Sequence, residues 1–337
     1  MGFLSTKNAV GLDIDTAEIR AVELSGSVQS PKLVKFGRIP LPGGAVIEGM
    51  IANPGMVEDA LHRLWSDAGF STREVILGVS NQGVLVRFAA FPKVNSNRMD
   101  KMIRFQAQEH IPFPLDSVVL DYIVVGEGTG EAGDVVEVLL VAGKRDMLNI
   151  FIEVVSGASL KVKDIDVSPL VLQQVLPPVD RKGTVAIVNI ANELSNILVM
   201  ENGTPHFARI SPTGLQMATE FFSCSLNEVV PVTKASEIVW SEDAVSVWGA
   251  TLAGDINSSL SYYQTQHKGA AIERIFLSGR GARMDGLAER IQENLGLPVA
   301  IIHPLGGIDV ANKNTGICSV AMDFTVSVAL ARRGLEV

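Results

Sequence analysis

Cysteine is nearly missing from this chain: two residues, Cys224 and Cys318, in 337. Two cysteines cannot build a disulfide framework, so a reducing compartment is the default expectation. Positive charge is also scarce. Lys and Arg number 28 against 37 Asp and Glu, leaving a net charge of −9. Nucleic acid is therefore not an expected partner, because phosphate binding needs clustered cations to replace counterions. Long apolar runs are absent as well. The longest, residues 135–142, has a strand's length and is broken by Glu137, far short of the roughly 18 to 20 residues of a membrane span. No apolar core precedes Asp13, so no signal peptide is expected. The five histidines (His62, His110, His206, His267 and His303) show no metal-ligand spacing, and no metal site is expected from them. No G-x-x-x-x-G-K-[ST] loop occurs, and GVSNQG at 78–83 lacks the spacing of a nucleophile elbow.

Hydrophobic residues make up 47% of the chain and charged residues 19%, which suits a globular protein with a large core, and the length allows two or more domains. The organising stretch is VGLDIDTAEIRAVEL, residues 10–24. An apolar strand ends in Asp13, a polar turn follows, and a second strand runs back from Ile19. Such a hairpin can place a carboxylate beside turn amides, an arrangement that suits a magnesium-bound phosphate. Asp13 can equally cap the turn. A third strand at 32–41 follows, then Asn53-Pro54 as N-cap and first helical position. A helix at 55–68 and a buried strand at 74–79 complete a βββαβ unit. The pattern recurs with strands at 185–190, 195–201 and 205–210, the second pair joined by Asn202-Gly203, a tight hairpin signal. A helix from Ser211-Pro212 and a delayed strand at 274–277 close this second unit. A long helix at 243–267 interrupts it, with Val245, Trp248, Leu252, Ile256, Leu260 and Tyr263 on one face. Residues 84–160 read as an α+β insertion in the first unit, with a Gly-rich loop at 126–133. The fold expected is a duplicated βββαβ pair with a ligand between its halves.

On these residues the chain resembles the actin-like superfamily. VGLDIDTAEIR is similar to its first phosphate loop, VAIVNIANELSNILVMENG to the second, and IFLSGRGARMDGLAERIQENLGLPV to the adenosine loop and its helix. The inserted stretches VRFAAFPKV, MIRFQAQEHIPFPLDSVVLDYIVV and VEVLLVAGKRDML resemble most the PilM family of type IV pilus assembly, which shares its inserted subdomain 1C with FtsA. The resemblance implies an α/β, actin-like (ribonuclease H-like) fold. Subdomain 1A would comprise 8–83 with 161–180 and 320–337, and 1C would be 84–160. Subdomain 2A would comprise 181–215 and 270–319, and 2B would be 216–269.

It also implies an ATP and magnesium cleft built from Asp13, Asp15, Thr16, Arg20, Asn189, Ala191, Gly214, Gly279, Arg280 and Gly281. A groove between 1A and 1C would take the short cytoplasmic end of a PilN-like membrane protein, with Arg87, Phe91, Ile111, Pro112 and Phe113 as candidate walls; Phe91 and Phe113 can equally be core. The role implied is a non-enzymatic, cytoplasmic platform under the pilus machinery that meets other platform proteins and itself. A working ATPase or phosphotransferase is the alternative, and a membrane-tethered filament former a third. The terminal RRGLEV is too short and polar for an amphipathic membrane helix, against that third reading.

Four positions depart from the superfamily pattern. Asp15 and Ala191 replace glycines of the two phosphate loops, Asn189 replaces an aspartate, and Arg280 replaces a glycine of the adenosine loop. Asp15 puts a negative charge beside phosphate. Two like charges 4 Å apart repel by about 4 kcal/mol at an effective dielectric of 20, roughly a thousandfold in affinity. A weak or empty nucleotide cleft is therefore expected, with Arg280 bridging from the opposite half to Asp13 or Asp15. Arg280 pairing with phosphate, or pointing away from the cleft, are the other readings.

Overall fold

The computed structural model describes residues 7–130, 133–222, 225, 242–267 and 270–337. The chain begins with β1 (Asn8–Ile14), β2 (Glu18–Ser27), β3 (Ser30–Pro40), the short strands β4 (Val46–Ile47) and β5 (Met50–Ile51), helix α1 (Pro54–Ala68) and β6 (Glu74–Val79). Next come β7 (Val84–Pro92), α2 (Ser96–Gln106), β8 (Val118–Gly130), β9 (Gly133–Lys144) and α3 (Arg145–Gly157). β10 (Lys161–Val167) and α4 (Ser168–Val171) lead into β11 (Thr184–Ile190), β12 (Ser195–Glu201), β13 (Thr204–Ser211) and α5 (Leu215–Phe222). The remainder is α6 (Glu242–Gln266), β14 (Arg274–Ser278), α7 (Leu287–Leu295), β15 (Val299–Ile301), β16 (Asp309–Val310) and α8 (Thr325–Glu336).

The duplication is visible in strand order. The first sheet runs β10-β6-β1-β2-β3-β16 and the second β15-β14-β11-β12-β13. In each, three antiparallel strands are joined by two parallel ones, and in the first sheet β16 adds a further parallel strand beside β3. Local chemistry explains the pieces. α1 starts where Asn53 Oδ1 accepts from the Met56 amide at 3.3 Å, has Pro54 at its first turn, and stops at Gly69. Its apolar stripe, Val57, Leu61, Leu64 and Trp65, is buried. Asn202 and Gly203 both take positive φ (48° and 85°), the twist a two-residue hairpin requires. The face of α6 read from the sequence is also buried, with Trp248, Leu252, Ile256 and Tyr263 in the second-half core.

Between β6 and β10 the chain builds a separate three-stranded sheet, β7-β9-β8, with its own small core around Phe91, Ile103, Ile111 and Val138. The expected loop at 126–133 is instead the far end of the β8–β9 hairpin, paired as Gly126 with Glu137 and Gly128 with Val135. Glycine here did not break the strand because cross-strand pairing carries it. Helix α2 ends at Gln106 and tightens to a 3₁₀ turn at Ala107–Glu109, ahead of Pro112 and Pro114, which cannot continue a helix. The helix after the 278–282 loop begins at Leu287, following a 3₁₀ turn at Arg280–Arg283. Residues Asn312–Glu336 are long and apolar enough to cross a membrane, yet 72% of that window is buried. α8 packs against β1 and β2, so its apolar faces serve the core. Cys318 is exposed, and Cys224 lies outside the described residues.

Candidate ligand cleft and partner groove

The β1–β2 and β11–β12 turns face each other across the two halves. In the first hairpin Asp13 sits directly opposite Arg20, and the pair closes a salt bridge of 3.0 Å. Arg20 also holds Asp15 at 2.6 Å and Glu18 at 3.3 Å, and it is only 3% exposed. Burial pushes the Asp13 carboxyl up to about 6; Arg20 opposes the shift, while Asp15 and Glu18 add to it. Burial pulls Arg20 down, but the carboxylates around it more than offset this and hold it above its ordinary value. Arg38 lies 3.8 Å from Glu18 and 3.0 Å from Asp323, and Arg283 lies 3.0 Å from Asp323. Four carboxylates and four guanidiniums, counting Arg280, thus share this cleft.

Arg280 is buried, 2% exposed, so it does not project to solvent. The guanidinium on the Asp13–Asp15 pair is Arg20, from the same hairpin. Arg280 reaches that pair indirectly: its Nη1 donates to Asn192 Oδ1 at 3.3 Å, and Asn192 Nδ2 donates to Asp15 Oδ2 at 2.7 Å. Desolvation lowers the Arg280 pKa, with Asp323 and Glu18 opposing and Arg20 and Arg283 adding to the effect.

The turn amides are already occupied. The Thr16 amide donates to Asp15 Oδ1 at 2.7 Å, and the Asp15 amide to the Glu18 carbonyl at 3.1 Å. Across the cleft the Ala191 amide donates to the Leu194 carbonyl at 3.0 Å. Glu193 of the second half accepts from the Thr16 hydroxyl and, at 2.7 Å, from the Glu48 amide of the first. Ser80 Oγ donates to Asn196 Oδ1 at 2.6 Å, a third tie between the halves. Asn189 is buried and accepts from Ser278 Oγ at 3.2 Å. The glycines of the 278–282 loop are packed, not open. A Cβ on Gly279 would stand 2.5 Å from the Ile190 carbonyl, and one on Gly281 2.3 Å from Ile190 Cγ2. Gly214 lies where α5 docks on the second turn, the Leu215 amide donating to the Ala191 carbonyl at 2.9 Å. Sequence reasoning placed ten residues here but missed Asn192, Glu193 and Asp323.

Asp13 carries a pH signature. Its folded pKa, near 6, lies above the ordinary carboxylate value, so the folded state holds the proton more tightly than the unfolded chain. The part of the stability tied to this proton is present below the unfolded pKa and is lost as pH rises toward 6. Asp13→Asn removes that loss. Urea midpoints measured from pH 4 to 8 should therefore fall less steeply for the variant than for wild type between pH 4 and 6.

The candidate partner residues separate. Phe91 and Ile111 are 1% and 3% exposed and belong to the core of the three-stranded sheet, so neither can meet a peptide. Phe113 is half-buried beneath Lys144, 4.7 Å from its ring centre, and Pro112 is exposed. Arg87 is on the opposite edge of that sheet, donating to the Tyr262 hydroxyl at 3.2 Å. The groove between the inserted sheet and the first half is built from other residues. It has a volume near 710 Å³ and is lined by Val119 and Tyr122 of β8, Leu148 and Ile152 of α3, and Asp166 of β10, with Arg333 of α8. Both β8 and β10 are sheet edges. Val119, Ile123 and Ile152 remain 45%, 36% and 38% exposed along it. Asp166, 3.4 Å from Arg333, is raised to about 6 by burial. These edges arise from the pairing of strands, which no single stretch of residues signals.

Two sheets of one strand order, each presenting a hairpin turn to a shared cleft, define an actin-like protein. A family profile described as Type IV pilus assembly protein PilM matches residues 11–335. The chain belongs to this PilM family. A solved PilM-PilN type IV pilus biogenesis complex is similar at 25% identity and TM-score 0.84, covering 98% of this chain and 99% of that one. The ethanolamine utilization protein EutJ from Carboxydothermus hydrogenoformans shares the fold at 14% identity and TM-score 0.57, over 98% and 90% of the two chains. The cell division protein FtsA of Bacillus subtilis (strain 168) is 22% identical over 240 residues, 64% of this chain and 54% of that protein. This chain thus matches about half the length of that curated relative.

Proposed function

We propose that this protein is a non-enzymatic scaffold of a type IV pilus assembly platform. It docks the cytoplasmic end of a PilN-like membrane protein in the groove between β8 and β10, which holds it at the inner face of the cytoplasmic membrane. The observation that carries this reading is the groove itself. Two strand edges, unpaired among the described residues, face it, and exposed apolar side chains border it. An extended peptide gains main-chain hydrogen bonds from such edges and seats alternate side chains in apolar pockets. Labelled peptide matching the cytoplasmic end of the PilN-like protein should bind wild type, and Ile152→Asp should weaken it by on the order of tenfold, the scale of one lost apolar anchor. A folded Ile152→Asp variant that binds the peptide like wild type would overturn the assignment.

The nucleotide cleft is self-occupied in this reading. The Asp15 carboxylate takes the Thr16 amide, and Glu193 takes the Thr16 hydroxyl and the Glu48 amide. These donors are of the kind an anionic phosphate would use. Arg20 neutralises the Asp13–Asp15 pair from within its own hairpin. ATP and magnesium then have little to gain, and the halves are tied by Asn192, Glu193 and Ser80 without them. Of the second turn's polar groups, Asn189 cannot act as a base, and the Glu193 carboxylate is engaged by the Thr16 hydroxyl and the Glu48 amide, so phosphotransfer is disfavoured.

A further inference from the structure

Among the described residues the inserted three-stranded sheet has no further strand paired to either edge. β8 faces the groove described above; β7 faces a different one, of about 480 Å³, on the side of the second half. Its lining includes residues 84–87 of β7 and 207–210 of β13. Four consecutive residues of a strand line a groove only where the groove runs along the strand's edge, because alternate side chains point to opposite faces. β13 is also the outer strand of its sheet. Among the described residues neither strand is hydrogen-bonded to a further strand along this cavity, which opens beside the point where Phe88 of β7 stacks on His206 of β13.

The chemistry of the two cavities is opposite. The β8 groove is lined by four carboxylates (Asp121, Asp164, Asp166 and Glu336) and two arginines (Arg145 and Arg333). The β7 groove is lined by Arg87 and Arg209 and by no carboxylate among the described residues, on a chain whose net charge is −9. Arg87 donates one Nη to Tyr262, while its Nε is buried with no acceptor among the described residues. Arg209 donates to Ser259 Oγ at 3.0 Å and stands 3.8 Å from Asp255, a long and partly exposed pairing. Phe207 and Tyr262 form an aromatic wall, their ring centres 5.9 Å apart. A buried donor without an acceptor is costly, and a guanidinium fork is shaped for carboxylate.

We propose that the β7–β13 groove binds an extended acidic peptide segment of a second protein partner, distinct from the one in the β8 groove. The peptide's backbone pairs along the strand edges, its carboxylates meet Arg87 and Arg209, and its apolar side chains lie on Phe207 and Tyr262. Occupancy would add to the contacts that already tie the inserted sheet to the second half, Arg87 to Tyr262 and Phe88 to His206.

Fluorescence anisotropy with a fluorescein-labelled peptide of alternating Glu and Val tests this, with the Lys-Val counterpart as control. The expected result is binding of the Glu peptide in preference to the Lys peptide, weakening as salt rises. Arg87→Glu with Arg209→Glu should lower affinity on the order of tenfold or more, and Arg145→Glu in the other groove should leave it unchanged. Tyr262→Ala, at an exposed position, gives an independent loss if the double variant fails to fold. Failure of the Glu peptide to bind, equal binding of the Lys peptide, or indifference to the arginine and tyrosine variants would overturn the proposal. Competition by free glutamate as strong as by peptide at equal carboxylate concentration would make the groove a small-anion site and overturn it too.

Discussion

Arg20→Leu should destabilise the protein by about 3–5 kcal/mol, the usual cost of removing one partner from a buried charge cluster. Arg20 is 3% exposed and is the cation within 3.3 Å of Asp13, Asp15 and Glu18. Its loss leaves three carboxylates crowded in low dielectric, where they repel and cannot be hydrated. Asp13, already raised to about 6, would take up a proton first, so the variant should lose less stability at pH 5 than at pH 8. Urea denaturation at both pH values checks this. The contrast is Lys161→Ala, which breaks an exposed pair with Glu74; surface pairs are worth about 0–1 kcal/mol. Similar losses from the two substitutions would mean that Arg20 is hydrated and the cleft open.

Mg-ATP should show no micromolar binding to the wild-type protein by titration calorimetry. The triple substitution Asp15→Gly, Asn189→Asp, Arg280→Gly should restore measurable affinity, by up to about a thousandfold if the repulsion estimated for one unrelieved charge is the main barrier. Two features of the cleft motivate this. The Asp15 carboxylate caps the Thr16 amide and is held by Arg20 and Asn192, so Asp15→Gly frees a donor and a cation together. Arg280→Gly empties the space a buried guanidinium fills and releases Asn192. Micromolar or tighter binding by wild type would refute the self-occupied cleft. A triple variant that folds yet stays blind to ATP would place the barrier in the Glu193 and Ser80 ties instead.

Much of the architecture could be read from the chain. The two hairpins declared themselves because each apolar strand ends at a polar turn and resumes with strand periodicity, and Asn202-Gly203 admits little else. The inserted unit was bounded by breaks in the βββαβ rhythm. Even the Asp13–Arg20 bridge had a local signal: a turn centred on Asp15–Ala17 places these residues opposite one another. Contacts across the cleft had none. Asn192 and Glu193 look like ordinary turn residues, and their partners lie 177 positions away at Asp15 and Thr16. Such pairs exist only once both halves have folded and met. The candidate groove walls went astray for a related reason. Phe91 and Ile111 are candidate walls only by resemblance, and a three-stranded sheet with one covering helix needs both for its own core. Strand edges, which create both grooves, are a property of pairing that no stretch of sequence carries alone.

The packing of α8 on β1 has a consequence for how this protein is made. A Cβ on Gly11 would come within 2.1 Å of the Ser327 carbonyl oxygen, so the start and end of the chain are in direct backbone contact. A ribosome adding about 5–20 residues per second needs roughly 15–60 seconds to travel between them. For that interval the newborn amino-terminal sheet lacks the helix that covers it, and the apolar face that α8 later buries is without its native cover. The first sheet can therefore complete its core only after α8 has been made.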